Sequence, residues 1–426
     1  LFAQWGSGLR RPFWMPCARN LERTMGGTMA TILTIEDLKA LHRKRTPKMF
    51  YDYADSGSYT EGTYRENESA FAHIKLRQRV ARNIDNRDTT GTILGKPATM
   101  PVYLAPVGMT GMQHADGEIL AAKAAEAFGV PFTLSTMSIC SIEDVAAHTE
   151  KPFWFQLYVM RDRGFVADLI ARAKSAGCST LVLTLDLQIL GQRHKDLRNG
   201  LSAPPRMTPQ VILDLMRHPS WCMKMLGTKR RGFGNIVGPA KGVDDMSSLV
   251  NWTHSQFDQS LDWSSVEWIK SQWDGPLVLK GIGDADDAKI ALGTGADAII
   301  VSNHGGRQLD GAPGTIRVLP EVVDAVGGQI EIHMDSGIRS GQDVLKALAL
   351  GASATSIGRA YIHGLGAMGQ AGVTKALEII QKEMDVTMAL CGETKIANVG
   401  RQNIWGGTDV EPEAAGEAPT LQAVGA

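Results

Sequence analysis

The sequence predicts a (β/α)8 TIM barrel, preceded by an N-terminal helical segment and interrupted by one long insertion between its fourth and fifth strands. Three observations carry that prediction. Eight short apolar runs recur after residue 100, stretches of helical periodicity separate them, and a polar or charged side chain closes nearly every run. Runs with so little apolar–polar alternation suit parallel strands covered on both faces. Eight strand–helix units close a barrel.

Taken in order, residues 1–28 carry four arginines against one glutamate and read as a leader or an over-long N-terminus, outside the fold. Residues 29–98 form the N-terminal helical segment packing on the barrel: Thr34 to Glu36 open a helix whose apolar positions Leu38 and Leu41 follow at helical spacing. The barrel spans 99–405. Its strands are expected at 101–107, 132–136, 153–159, 179–186, 276–282, 298–305, 330–337 and 354–360, with helical stretches such as FVADLIARAKSAG between them.

About ninety residues separate the fourth run from the fifth, far more than a crossover needs, so an insertion at about 195–262 is expected to reach over the site. Its middle, 204–241, holds Arg206, Arg217, Lys224, Lys229, Arg230, Arg231 and Lys241 against Asp214 alone, interleaved with Met207, Met216, Trp221, Met223, Met225 and Phe233. Two readings of this composition stand side by side: a peripheral membrane contact, and a solvated active-site lid. Residues 406–426 are acidic and rich in alanine, proline and glycine, and are expected to be disordered.

Forty-four basic and 45 acidic residues leave a net charge of −1, which excludes the strong field of a general nucleic-acid binder and favours a small-molecule partner. Five scattered cysteines without a CxxC pair fit a reducing compartment and no metal site. No run of 18 apolar residues predicts a membrane-spanning helix.

Active sites of such barrels are assembled at the C-terminal ends of the strands. The residues there are Gln156, Tyr158, Thr184, Asp186, Lys280, Ser302 to His304, Asp335 and Arg359. DSGIRSG (335–341) and IGRA (357–360) put glycines and arginines after strands seven and eight, where a phosphate can rest on backbone N–H groups beside Arg339 and Arg359. SNHGGRQLD (302–310) combines a histidine at a strand end, two glycines, and an arginine three residues on. Arg307 suits a carboxylate, because its planar fork donates two parallel hydrogen bonds, and His304 suits proton abstraction beside that anion. A second strand histidine, His333, is expected to be structural.

From about residue 31 to 405 the chain resembles the FMN-dependent 2-hydroxy acid oxidase and dehydrogenase family. The likeness rests on PKMFYDYADSG, MPVYLAPVGM, PFTLSTMS, FWFQLYV, LTLD with GQRHKDLRN, VLKGI, IVSNHGGRQLDG, DSGIRSGQDVLKALALGA and IGRA. It implies FMN as cofactor, His304 as base, and Asp186 as the carboxylate that steadies its imidazolium. Arg193 and Arg307 would clamp the substrate carboxylate, with Tyr53 and Tyr158 orienting the substrate. Lys280 would face the flavin edge that gains negative charge; Ala105, Pro106, Val107, Gly108, Ser135, Gln156, Thr184 and Ser302 would contact the flavin ring. Asp335, Ser336, Gly337, Arg339, Gly358 and Arg359 would hold its phosphate.

The insertion and the blocks PFTLSTMSIC, RDRGF, AGCSTLV, WDGP and GQAGV are most similar to respiratory L-lactate dehydrogenases. That implies L-lactate oxidised to pyruvate, a quinone as acceptor, a homotetramer, and a cytoplasmic protein peripheral on the inner membrane. Mandelate as substrate and oxygen as acceptor stand as alternatives, as does a flavin-free phosphate-binding barrel enzyme, which would leave His304, Arg307 and Arg193 unexplained together. One departure is local: TLDLQILG replaces the family's more usual TVDTPRLG, placing Leu187, Gln188 and Ile189 in the loop before Arg193. Met137 and Leu190 are expected to wall the substrate pocket, and Gly108 is similar to the dehydrogenase members.

Overall fold

Each of the eight apolar runs folds as a β-strand. After a short antiparallel hairpin of β1 (Gly91–Ile93) and β2 (Lys96–Ala98) come β3 (Val102–Leu104), β4 (Thr133–Ser135), β5 (Trp154–Tyr158), β6 (Thr180–Thr184), β7 (Leu277–Ile282), β8 (Ala298–Val301), β9 (Glu331–Met334) and β10 (Ala354–Ile357). The eight strands β3 to β10 form one sheet in the order β3-β10-β9-β8-β7-β6-β5-β4, and the pairings within it are parallel. A parallel bridge between Leu104 and Phe132 joins β3 to the β4 side, which closes the barrel.

This computed structural model describes residues 31–201, 206–240 and 257–406. The expected leader at 1–28, residues 407–426 of the expected tail and residues 202–205 and 241–256 of the insertion, Lys241 among them, lie outside the described residues. The described residues from Thr34 onward belong to one compact unit.

Side chains alternate along a strand, so residues two apart point into the barrel at successive heights. At the lower height Tyr103, Trp154, Val182, Val278, Ile300 and Ala354 form an apolar plug with Ile93 and Ala98 of the hairpin. Each large aliphatic side chain fully buried in such a layer contributes about 1.5–3 kcal/mol. Two residues further along the same strands stand Gln156, Thr184, Lys280, Ser302 and Ser356, all buried and all polar. An apolar floor beneath a polar rim is thus a consequence of strand parity.

Three helices precede the barrel, Ile35–Arg45, Lys48–Ala54 and Gly62–His73. Thr34 caps the first: its hydroxyl accepts from Asp37 N (3.2 Å) and the Asp37 carboxylate accepts from Thr34 N (2.9 Å), and Leu38 is buried beneath it. The β1–β2 hairpin, absent from the helical expectation for 29–98, turns through Leu94 and Gly95 at φ 50° and 69°, as a two-residue hairpin turn demands. Within the insertion, helices Pro209–Met216 and Pro219–Gly227 lie near the rim. Trp221 of the second stacks on Phe50 (5.1 Å between ring centroids) and donates its indole N–H to Met112 O (3.0 Å).

Candidate active site

At the C-terminal ends of the strands lies a cavity of about 950 Å³. Its lining includes Tyr53, the 105–108 turn after β3, Tyr158, Thr184, Arg193, Lys280, His304, Arg307, the 335–337 turn after β9, Arg339, Gly358 and Arg359. The site residues expected from sequence therefore converge on one chamber, with four standing just behind its wall. Ser135 Oγ donates to Gln156 Oε1 (3.1 Å) and Gln156 Nε2 to Thr184 Oγ1 (2.9 Å), so this chain of hydrogen bonds reaches the cavity only through Thr184. Ser302 Oγ accepts from Lys280 Nζ (2.7 Å), and Asp186 sits behind His304.

His304 is held in a strained backbone conformation. Its φ is +57°, a region costing of order 1–3 kcal/mol for a residue other than glycine. Its N–H donates to Ser302 Oγ (3.1 Å), and the next two residues, Gly305 and Gly306, continue the left-handed path. A Cβ at Gly305 would lie 2.7 Å from Arg359 Nη1, and one at Gly306 would lie 2.5 Å from Tyr64 N, so both positions exclude larger residues. The outcome is an imidazole whose Nδ1 meets Asp186 Oδ1 at 2.9 Å and whose ring lies nearly parallel to Tyr158, with centroids 6.5 Å apart and planes at 21°.

Around that imidazole the charges are balanced. Lys280 Nζ contacts Asp335 Oδ2 at 2.8 Å; burial pushes the lysine pKa down, but Asp335 and Asp186 outweigh it and leave the value above normal. Arg307 Nη1 donates to Tyr53 O (2.6 Å) and Ser56 O (3.2 Å), and burial, with Arg193 nearby, lowers its pKa. The guanidinium carbons of Arg193 and Arg307 lie 5.6 Å and 4.7 Å from the Tyr53 ring centroid, so both expected clamp residues flank one tyrosine. Sequence reasoning missed Asp196, whose Oδ2 pairs with Arg193 Nε at 2.9 Å; its spacing three residues after Arg193 on a helical turn was the available signal.

The chamber fits a flavin mononucleotide. At one end the buried Nε of Arg339 has no hydrogen-bond partner among the described residues, Gly337 adopts φ +87°, and Gly358 precedes helix Arg359–Met368, whose N-terminal amides favour an anion. Arg359 spends three donors on protein, at Ala54 O (2.9 Å), Gly305 O (3.0 Å) and Ser56 O (2.7 Å), so it braces two site loops as well as facing the chamber. At the other end Gly108 leaves room that a Cβ would take, 3.0 Å from the Tyr53 hydroxyl and 3.3 Å from Met137 Cβ. The residues present would hold the phosphate at the arginine end, and Lys280 would supply positive charge toward the ring.

The family model described as FMN-dependent dehydrogenase matches residues 42–406. An L-lactate dehydrogenase of Ectopseudomonas mendocina is 47% identical over 85% of this chain and 96% of its own length. One of Vibrio parahaemolyticus is 45% identical over 86% and 97%. Among solved structures, an (S)-mandelate dehydrogenase described as a monotopic membrane protein superposes with a TM-score of 0.83 at 34% identity, covering 88% of this chain and 99% of that one. A mandelate oxidase gives a TM-score of 0.73 at 36% identity, covering 87% and 97%. A match across nearly all of the barrel, together with a chamber shaped and charged for the cofactor, places the chain in the FMN-dependent dehydrogenase family.

Proposed function

We propose that the protein oxidises an L-2-hydroxy acid to its 2-keto acid, with L-lactate to pyruvate as the lead reaction. The observation that carries this reading is the pair formed by His304 and Asp186, set beside two arginines in a chamber that fits FMN. Arg193 and Arg307 bind the substrate carboxylate, and the hydroxyls of Tyr53 and Tyr158 orient the carbon that reacts. With Nδ1 engaged by Asp186, His304 offers Nε2 to the substrate and takes up a proton; Asp186 then faces an imidazolium instead of a neutral ring. Bound FMN supplies the two-electron acceptor. Lys280 presents positive charge where that acceptor gains negative charge.

L-Lactate is favoured by the L-lactate dehydrogenase relatives, whereas the mandelate enzymes keep a larger acid as the second reading. Met137 and Leu190 both line the chamber. Anaerobic mixing of the FMN-loaded protein with L-lactate, glycolate and L-mandelate ranks the substrates by flavin bleaching. Admitting oxygen or a soluble quinone afterwards separates the acceptors, and a quinone is the acceptor we propose.

The insertion supports a peripheral membrane contact on its outer side and a lid on its inner side. Helix Pro209–Met216 buries no residue, and Met207, Ile212, Leu213, Met216, Met223 and Leu226 are all exposed, Met216 at 73%. Arg206, Arg217, Lys224 and Lys229 are exposed near them in sequence. Inward, Met225 and Phe233 are buried, and Arg230 pairs with Asp116 (3.0 Å) and Asp144 (2.7 Å), which makes it a tether to the barrel. Among the described residues no helix is long and apolar enough to cross a membrane. Attachment to the cytoplasmic face of the inner membrane is the location we propose, and a homotetramer, on family likeness, the assembly; light scattering tests the latter.

A further inference from the structure

We infer that Gln308 is a positioning residue for the reaction, acting as a clasp between the two loops that carry the catalytic pair and the carboxylate clamp. This inference rests on the reading of His304 as the base. Gln308 follows Arg307 and is not among the residues lining the chamber, so it acts through others. Its side-chain amide is fully engaged with the loop that leads from Asp186 to Arg193. Nε2 donates to Asp186 O (2.8 Å) and to Ile189 O (2.8 Å), while Oε1 accepts from Gly191 N (3.0 Å). Only this orientation of the amide serves two carbonyls and one N–H, so the hydrogen bonds themselves fix which end is nitrogen.

Elsewhere in the loop it clasps, Leu187 is buried, Gln188 Nε2 donates to Leu261 O (2.6 Å) and Gln192 O accepts from Tyr59 N (2.9 Å), but none of these contacts reaches the His304–Arg307 loop. Residues 187–192 are LQILGQ, without proline, and Ile189 is exposed. Gly191 lies so close to the opposite loop that a Cβ there would sit 2.4 Å from Arg307 O and 2.9 Å from Gln308 Cα. Backbone contact at Gly191 and three hydrogen bonds from one side chain therefore set the distance between the His304–Arg307 loop and the Asp186–Arg193 loop. Both functional pairs span that seam: His304 with Asp186, and Arg307 with Arg193. From the other side Ser58 Oγ donates to Gln308 O (2.7 Å), which ties the clasp to the segment after Tyr53.

A misplacement of about 1 Å in such a constellation can cost on the order of 100-fold in rate. The test uses FMN-loaded Gln308→Met, which keeps the volume and removes all three hydrogen bonds, with Gln308→Asn, which withdraws the amide by one methylene, as a second variant. Expected in both is an anaerobic flavin-reduction rate with L-lactate at least about tenfold lower, a raised KM, a larger isotope effect with L-lactate deuterated at C2, and unchanged FMN content. A reduction rate and KM within twofold of wild type in Gln308→Met would overturn the inference. So would loss of FMN from both variants, because Gln308 does not line the cofactor chamber. His304→Gln run in parallel separates the two levels: activity retained there removes the base itself, whereas activity lost there and kept in Gln308→Met removes only the clasp.

Discussion

His304 Nδ1 lies 2.9 Å from Asp186 Oδ1, a contact between side chains 118 residues apart, and the second carboxylate oxygen of Asp186 is buried without a hydrogen-bond partner among the described residues. Burial raises the Asp186 pKa, but His304 and then Lys280 pull it down, and the balance leaves it below its ordinary value. The ionised carboxylate and a protonated imidazole therefore stabilise each other across this contact. Asp186→Asn keeps the shape and removes the charge. Flavin reduction by L-lactate should slow by roughly 100-fold with FMN retained, as read by stopped-flow bleaching; a change under threefold would remove Asp186 from the mechanism.

Gly305 and Arg359 are matched in a way that bears on the cofactor. A side chain at 305 would meet Arg359 Nη1 at 2.7 Å, and φ there is +67°. Burial, then Arg339 and Arg307, already bring the Arg359 pKa down to about 10. Gly305→Ala should displace the guanidinium and weaken FMN binding by about 10- to 100-fold, equivalent to roughly 1.4–2.8 kcal/mol. Titration of apoprotein with FMN, followed by flavin fluorescence, measures it; an unchanged dissociation constant would show that Arg359 does not serve the phosphate.

Asp55 predicts a pH dependence of stability. It accepts from Tyr51 OH (2.9 Å) and Tyr64 OH (2.7 Å), and Lys39 lies 3.5 Å away. Burial raises its pKa, yet His363, Lys39, the Tyr64 hydroxyl and Arg359 together carry it well below the usual carboxylate range. A group whose folded value lies below its unfolded value of about 3.9 contributes stability that is present above that pH and lost as pH falls beneath it. Asp55→Asn should thus cost about 2 kcal/mol near neutrality, and the gap to wild type should close as pH drops below about 4. Melting temperatures of both proteins across pH 3–7 decide it, and a gap that stays constant would contradict the assignment.

The outer face of the insertion gives a separable prediction. Replacing Ile212, Leu213 and Met216 together with serine removes three exposed apolar side chains and leaves the Arg230 tether intact. Vesicle binding should fall by about 100-fold while anaerobic flavin reduction stays within twofold. Flotation with anionic phospholipid vesicles reads the first and stopped-flow the second; undiminished vesicle binding would end the membrane reading. Reversing Arg230 instead would cut its ion pairs with Asp116 and Asp144 and confuse anchoring with folding.

All eight strands were legible because each is buried on both faces and so stands out as a mostly apolar run with little alternation, as LVLKGI and AIIV do. His304 and Arg307 were legible as strand-end residues in a glycine-flanked segment. The partnership of His304 with Asp186 was not, since no local spacing relates residues 118 apart; only the family likeness supplied it. The β1–β2 hairpin escaped notice because its strands are three residues each and its turn puts leucine where glycine or asparagine is the usual signal. Gln308 and Asp196 escaped because their work is to hold backbone and a neighbouring arginine, which leaves no compositional trace. Arg230 counted as a surface cation in the sequence and is an ion-paired strut in the fold.

Anaerobic reduction of the FMN-loaded His304→Gln protein by L-lactate tests the assignment of the base most directly. The proposed mechanism predicts a fall in the reduction rate of at least about 100-fold with FMN content and melting temperature close to wild type. Reduction within tenfold of the wild-type rate would contradict it and move the proton to another acceptor.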